Sequence, residues 1–280
     1  MKDSFRTQDG RKLTYRREGA GPVLVCHPGG PGFSSRYLAD LGGLGSTRTL
    51  VMLDPRGTAG SDAPEDTLAY TTSDYVADVE ELREHLRLEQ IDLLGHSHGG
   101  VVALGYGAAH PKRVRRLIAA DSLVRLHPDE QEQLMERHSA EPWYEDARRA
   151  LEEEDAAEYA DDSALNSITN RFWPMYFARF DERAAKYVDT SLAGERGNVF
   201  ALKLFNDGIA EWDMRGELAA VEAPTLAITG EYDFICGPAC AEDIASGVRR
   251  SEKVVLEDCG HFTFVEKAEE FCATIERFLA

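Results

Sequence analysis

Basic residues are scarce. Lys and Arg number 31 against 50 Asp and Glu, a formal charge of −19 over 280 residues. Phosphate binding needs clustered cations, so this deficit excludes nucleic acid and anionic membrane surfaces as partners. It does not bear on a small substrate, which meets a pocket rather than the whole surface; most of the acidity reads as a solvated coat. Long hydrophobic runs are also missing: no stretch approaches the ~18 apolar residues of a membrane span, and Met1 to Arg6 leads directly into polar sequence. The chain is expected to be soluble and cytoplasmic. Five scattered cysteines (Cys26, Cys236, Cys240, Cys259 and Cys272) exclude a disulfide framework and read as reduced thiols. Cys236 and Cys240 lack the second Cys/His pair of a zinc set. G-x-G-x-x-G with a following ribose-binding acid is also lacking, so neither a metal nor an organic cofactor is expected.

What remains is an ordinary globular balance, 43% hydrophobic and 29% charged. Phe5 to Thr7 and Leu13 to Arg17 read as a hairpin turned by Asp9-Gly10. Short apolar runs then end in Gly and Pro: Val23 to Cys26 and Thr49 to Leu53. Such runs are what parallel strands buried on both faces look like. Residues 72–88 show helical spacing, with Tyr75, Val79, Leu82 and Leu86 on one stripe. Ile91 to Leu94, Val101 to Ala109 and Val114 to Ala120 continue a strand, helix, strand alternation. After about residue 126 the pattern changes to helical and strongly acidic, with an aromatic patch from Phe172 to Phe177. Strands resume at Thr225 to Ile228 and Lys253 to Leu256, with helices near 238–248 and 266–279. The expected fold is α/β, a mostly parallel sheet with helices on both faces. Residues 1–125 and 214–280 form its core, and 126–213 an inserted helical cap.

Gly95-His96-Ser97-His98-Gly99 fits G-x-S-x-G between a strand and a small-residue helix. That context marks Ser97 as a nucleophile: the turn is tight, flanking Cβ atoms would clash, and the hydroxyl is thrust above the sheet at a helix N-terminus. His96 and His98 are not expected to serve as its base, because neighbours on so sharp an elbow point away. His96 reads as a packed or hydrogen-bonded neighbour. Asp233 ends the next G-x-x-D strand, and His261 follows the last strand, in the order Ser, Asp, His. His261 would take the serine proton near neutral pH and return it to the leaving group, with Asp233 orienting the ring. Asp121, after the strand ending at Ala120, and Glu231 are alternatives for the acid.

His27-Pro28-Gly29-Gly30-Pro31-Gly32 lets backbone N–H groups approach a substrate oxygen. This segment resembles the H-G-G-P-G signature of proline iminopeptidases and their α/β-hydrolase-fold relatives. Asp54 to Ser61 resembles their D-x-R-G-x-G-x-S loop. The resemblance implies that Gly30 and His98 donate the two oxyanion N–H groups and that Asp54 and Arg56 are structural. It covers both halves of the core and hardly touches the insertion. Pro28 stands where the family has its histidine. The elbow reads G-H-S-H-G, not the family's G-G-S-W-G or G-G-S-Y-G; G-H-S-x-G is widespread in esterases and lactonases. The family's amine-binding cap glutamate has no counterpart in Arg171 to Phe180.

The expected partner is a small-molecule or short-peptide substrate, and the oligomeric state is not legible. Gly29, Trp173 and Tyr176 are candidate substrate-binding residues. A peptidase-like hydrolase acting on a free amino end is the first expectation. An esterase or lactonase for an apolar acyl compound is the second, and a non-catalytic receptor a distant third.

Overall fold

A computed structural model describes residues 2–156, 161–194 and 197–280; Glu158 of the acidic stretch lies outside them. Eight strands form one sheet: β1 (Lys2–Arg6), β2 (Lys12–Gly19), β3 (Val23–His27), β4 (Thr49–Asp54), β5 (Ile91–His96), β6 (Val114–Ala120), β7 (Thr225–Gly230) and β8 (Ser251–Leu256). Their order is β1-β2-β4-β3-β5-β6-β7-β8. Pairing is antiparallel from β1 to β2 and from β2 to β4, and parallel from there to β8. This is the α/β architecture expected.

Side-chain alternation distributes each strand between two cores. Val25, Val51, Leu53, Leu93 and Leu117 face one side, where α1 (Thr72–His85), α2 (His98–Ala109) and α8 (Pro238–Gly247) pack. Leu24, Leu50, Met52, Leu94 and Ile118 face the other, against α10 (Ala268–Leu279). Burial on both faces explains the consecutive apolar residues at the centres of these strands. The final helix differs from expectation. It breaks at Lys267 (φ −127°, ψ 46°) into a short α9 (Thr263–Glu266) and α10. The break directs the Glu266 side chain back towards the loop before it, described below.

Between β6 and β7 the described residues are helical: α3 (Pro128–Glu136), α4 (Tyr144–Ala156), α5 (Asp162–Phe172), α6 (Glu182–Tyr187) and α7 (Val199–Ile209). An isolated bridge pairs Arg125 with Asp213, and the Met214 N–H donates to the Val124 carbonyl at 2.8 Å, so the two ends of this stretch meet. The aromatic patch is mostly core: Phe172, Trp173 and Phe177 are buried in the same cluster as Leu94, Ile118 and Phe262.

One buried charge fixes the loop after β4. The Arg56 guanidinium donates to both Asp78 oxygens (2.7 and 2.8 Å) and to the Ala69 and Asp74 carbonyls. Arg56 and Asp78 are both almost wholly buried, so each neutralises a charge the other cannot leave to water. Arg56→Leu is expected to cost about 3 kcal/mol in urea denaturation, since among the described residues Asp78 keeps only Arg11 as a cationic partner, at 3.3 Å. Arg56→Leu with Asp78→Leu is expected to recover part of that loss.

Candidate active site

Ser97 joins the end of β5 to the start of α2, and its backbone is in the left-handed half of the map (φ 56°, ψ −127°). For a residue with a Cβ that conformation is strained, and the surroundings must hold it. The Ser97 N–H donates to the Ala120 carbonyl at the end of β6 (2.9 Å), and its carbonyl accepts from Gly100 (2.8 Å). Glycine at 95 is obligatory: a Cβ there would lie 1.9 Å from the Gly99 oxygen. The helix begins at His98, three residues earlier than periodicity predicts, because Gly99 and Gly100 are poor helix formers that close contact recruits. His98 thus occupies the first turn, where backbone N–H groups have no intrahelical acceptor.

Asp233 lies three residues beyond β7 and His261 five beyond β8, at the carboxyl ends of the strands. His261 Nδ1 donates to Asp233 Oδ2 at 2.8 Å. The other Asp233 oxygen accepts the Ile235 and Cys236 N–H groups (3.0 and 2.9 Å), which fixes the carboxylate plane. With Nδ1 engaged, the lone pair of His261 sits on Nε2. Ser97 and His261 line one cavity of about 640 Å³.

The alternatives for the acid are otherwise employed. Asp121 accepts from the Thr263 hydroxyl (2.6 Å) and the Gly230 N–H (3.2 Å). Burial, together with the nearby Asp233 charge, raises its pKa well above the carboxylate range. Glu231 accepts from the Asp258 N–H. Among the described residues, Asp233, Cys236 and His261 also place an oxygen, a sulfur and a nitrogen within 4.8 Å of one another. Burial and the Asp233 charge push the Cys236 thiol well up, so it is poorly suited to act as a thiolate ligand. All five cysteines are free.

Gly30, with φ at +117°, lines the cavity beside Ser97 and His98. Gly29 is not in the cavity wall; its N–H donates to Tyr37 Oη at 2.6 Å. Trp173 and Tyr176 are in the wall, and the Tyr176 ring meets the His261 ring edge-on at 5.3 Å. Burial lowers the His98 pKa to about 3 and the His27 pKa to about 4, and drives His96 well down. These three imidazoles are neutral.

Sequence reading missed most of the cavity wall. The helices each present one face: Gln131, Glu132 and Met135 from α3, Arg148, Leu151 and Glu152 from α4, Leu202, Phe205 and Ile209 from α7. Their spacing of three and four was visible, but periodicity cannot distinguish a pocket wall from core. The wall is apolar around Leu123, Leu202, Phe205 and Ile235, and acidic at Glu132, Glu152, Glu154 and Asp207. Arg148, also in the wall, pairs with Glu132 at 2.7 Å.

The profile of the alpha/beta hydrolase fold matches residues 22–268. The chain belongs to that family. It is similar to a proline iminopeptidase of Lactobacillus acidophilus, 26% identical over 96% of this chain and 93% of that one. Among solved structures it resembles an alpha/beta fold family hydrolase from Bacillus anthracis (TM-score 0.81, 17% identity, 99% of each chain). It also resembles the enol-lactonase of Burkholderia xenovorans (TM-score 0.71, 21% identity, 99% of each chain). At such identities these two establish the fold alone. No helix among the described residues is long and apolar enough to cross a membrane.

The histidine loop carries a further titratable group. Glu266 accepts the Gly260 N–H (2.7 Å), one residue before His261, and the Ala178 N–H (2.9 Å). Burial raises its pKa from 4.5 to about 7, against the lowering effect of those N–H groups. Between these values the native state binds a proton that the unfolded chain has released, so stability falls as pH rises through this window. Thermal melts of wild type and Glu266→Gln across pH 4.5–8 are expected to show this. The stability of wild type relative to the variant should fall up to about pH 7 and level off above it. A constant difference across the range would show that Glu266 titrates normally.

Proposed function

We propose that the protein is a serine hydrolase that cleaves a small amide or short peptide bearing a free amino end, through an acyl-enzyme on Ser97. The observation that carries this reading is the cavity: its wall holds Ser97 and His261 together with apolar side chains and four carboxylates, of which Glu132 pairs with Arg148 and Asp207 with Lys203. A substrate with a cationic amine and an apolar acyl group suits a wall of that mixed character. The relatives named proline iminopeptidase support it.

In this mechanism Ser97 Oγ attacks the carbonyl carbon while His261 Nε2 takes its proton, and Asp233 stabilises the resulting imidazolium. The oxyanion forms against the Gly30 and His98 N–H groups, at the positive end of α2. His261 then protonates the departing amine, and water repeats the sequence in reverse to release the acid. Residues 126–213 act as a cap over a core of 1–125 and 214–280, and Trp173 and Tyr176 shape the acyl site.

A second reading, hydrolysis of an ester or lactone, is favoured by the Gly95-His96-Ser97-His98-Gly99 elbow and by the apolar wall. Parallel panels of amino-acid amides, esters and lactones decide between them. Release of proline from a chromogenic proline amide is expected. Ser97→Ala should lose about 10⁴-fold or more in kcat. Glu152→Gln is expected to raise KM about threefold for free-amine substrates and leave N-acetylated ones unchanged, since an exposed charge contributes little. Turnover confined to esters or lactones would replace the amide reading. Failure of a fluorophosphonate to label Ser97 in folded protein would sink both.

A further inference from the structure

His96 lies next to the nucleophile, is almost completely buried, and takes no part in the proton transfers above. Its two ring nitrogens face groups from two different loops. Nδ1 is 2.8 Å from Tyr37 Oη, and Nε2 is 3.0 Å from the His261 carbonyl oxygen. The protons in this chain are determined by its ends. Tyr37 Oη accepts the Gly29 N–H at 2.6 Å, so its own proton is available for His96 Nδ1. A carbonyl oxygen only accepts, so His96 Nε2 must carry the ring proton. The opposite tautomer would set the Nε2 lone pair against the His261 oxygen at 3.0 Å. An imidazolium would deprive the tyrosine hydroxyl of its acceptor in a site closed to water.

We infer that His96 is a positioning residue: as the neutral Nε2–H tautomer it links Gly29 of the oxyanion loop, through Tyr37, to the backbone of the catalytic base His261. Every bond in the relay runs in one direction, from the Gly29 N–H to Tyr37, from Tyr37 to His96, and from His96 to the His261 carbonyl. Burial, with a smaller effect of the nearby His261 charge, keeps the imidazole neutral. Of the other ionisable groups near it, Asp121 Oδ2 is 3.6 Å from Nε2 and already accepts from Thr263. The rings of Phe262 and Phe264 close the remaining sides. The ends of the relay are anchored from the helical stretch between β6 and β7. The His261 N–H donates to the Tyr176 carbonyl at 2.8 Å, and Tyr187 Oη donates to the Tyr37 carbonyl at 2.6 Å. The His261 peptide is therefore held on both sides, and the oxyanion loop and the base keep a common register.

The inference rests on Ser97 and His261 being the reacting pair, so its test begins with a measurement that needs no activity. Nitrogen-15 NMR of the histidine rings is expected to show His96 neutral, with its proton on Nε2, from pH 5 to 9. A proton on Nδ1, or a protonated ring in that range, overturns the relay whether or not Ser97 reacts. The second measurement is the rate constant for fluorophosphonate modification of Ser97, which requires no natural substrate. Tyr37→Phe removes one oxygen, and His96→Gln keeps a side-chain donor and acceptor. Tyr37→Phe is expected to slow modification about tenfold and to move the His261 Nδ1–H resonance, which it reaches through His96. The double variant should be no slower than the slower single one, because both remove one chain. Additive losses, or an unmoved His261 resonance in a Tyr37→Phe protein that melts like wild type, would refute it. A wild-type Ser97 that resists the probe would instead sink the hydrolase reading and leave the tautomer to decide the relay.

Discussion

The strained backbone of Ser97 is the constraint around which the site is built. A left-handed residue with a side chain survives only where its neighbours leave no alternative. Here the alternatives are removed by the Ala120 carbonyl of an adjacent strand, by the first turn of α2, and by a glycine at 95 that permits contact at backbone range. The strand below is apolar on both faces and cannot shift register without disturbing two cores at once. Sheet rigidity is thus what holds the serine up, and the loops at the other strand ends are positioned against the same edge.

Those loops are joined by hydrogen bonds donated by backbone N–H groups, most of them to two carboxylates. The Gly260 and Ala178 N–H groups share Glu266, the Ile235 and Cys236 N–H groups share Asp233, and the His261 N–H reaches the Tyr176 carbonyl. Two of these contacts cross from the His261 loop to the segment after α5. The helical stretch is therefore continuous with the core in both packing and hydrogen bonding, and a change in its conformation would be felt at His261.

Legibility in the sequence followed the same division. Strands buried on both faces leave apolar runs with sharp ends, so the succession of strands and helices along the chain was readable, as was the placing of Ser97, Asp233 and His261 at strand ends. Asp121 could not be dismissed from sequence, because it too ends a strand; only its bonds to Thr263 and Gly230 show that its oxygens are taken. Glu266 was hidden because a single backbone break at Lys267 turns it inward, and no periodicity announces such a break. Leu202, Phe205 and Ile209 carry a helical stripe that reads equally well as core. Gly29 packs directly against Ser97, where a Cβ would come within 2.6 Å of the serine Cβ, and its N–H is engaged by Tyr37, a bond no sequence pattern announces.

Four imidazoles lie within this small region, and only one has a partner suited to accepting positive charge. His27, His96 and His98 are held neutral by burial, and the carboxylate beside His96, Asp121 Oδ2 at 3.6 Å, is itself pushed towards its neutral form by burial and the Asp233 charge. His261 has the fixed Asp233 oxygen at 2.8 Å. A buried cation is tolerated only where an anion of good geometry already waits, so the protein has provided one place for an imidazolium and denied it to three others. In the proposed mechanism, that is why two histidines can flank Ser97 without competing for its proton. Their neutrality also leaves them free for hydrogen bonding with a defined direction, which a ring that changed its charge during turnover could not maintain.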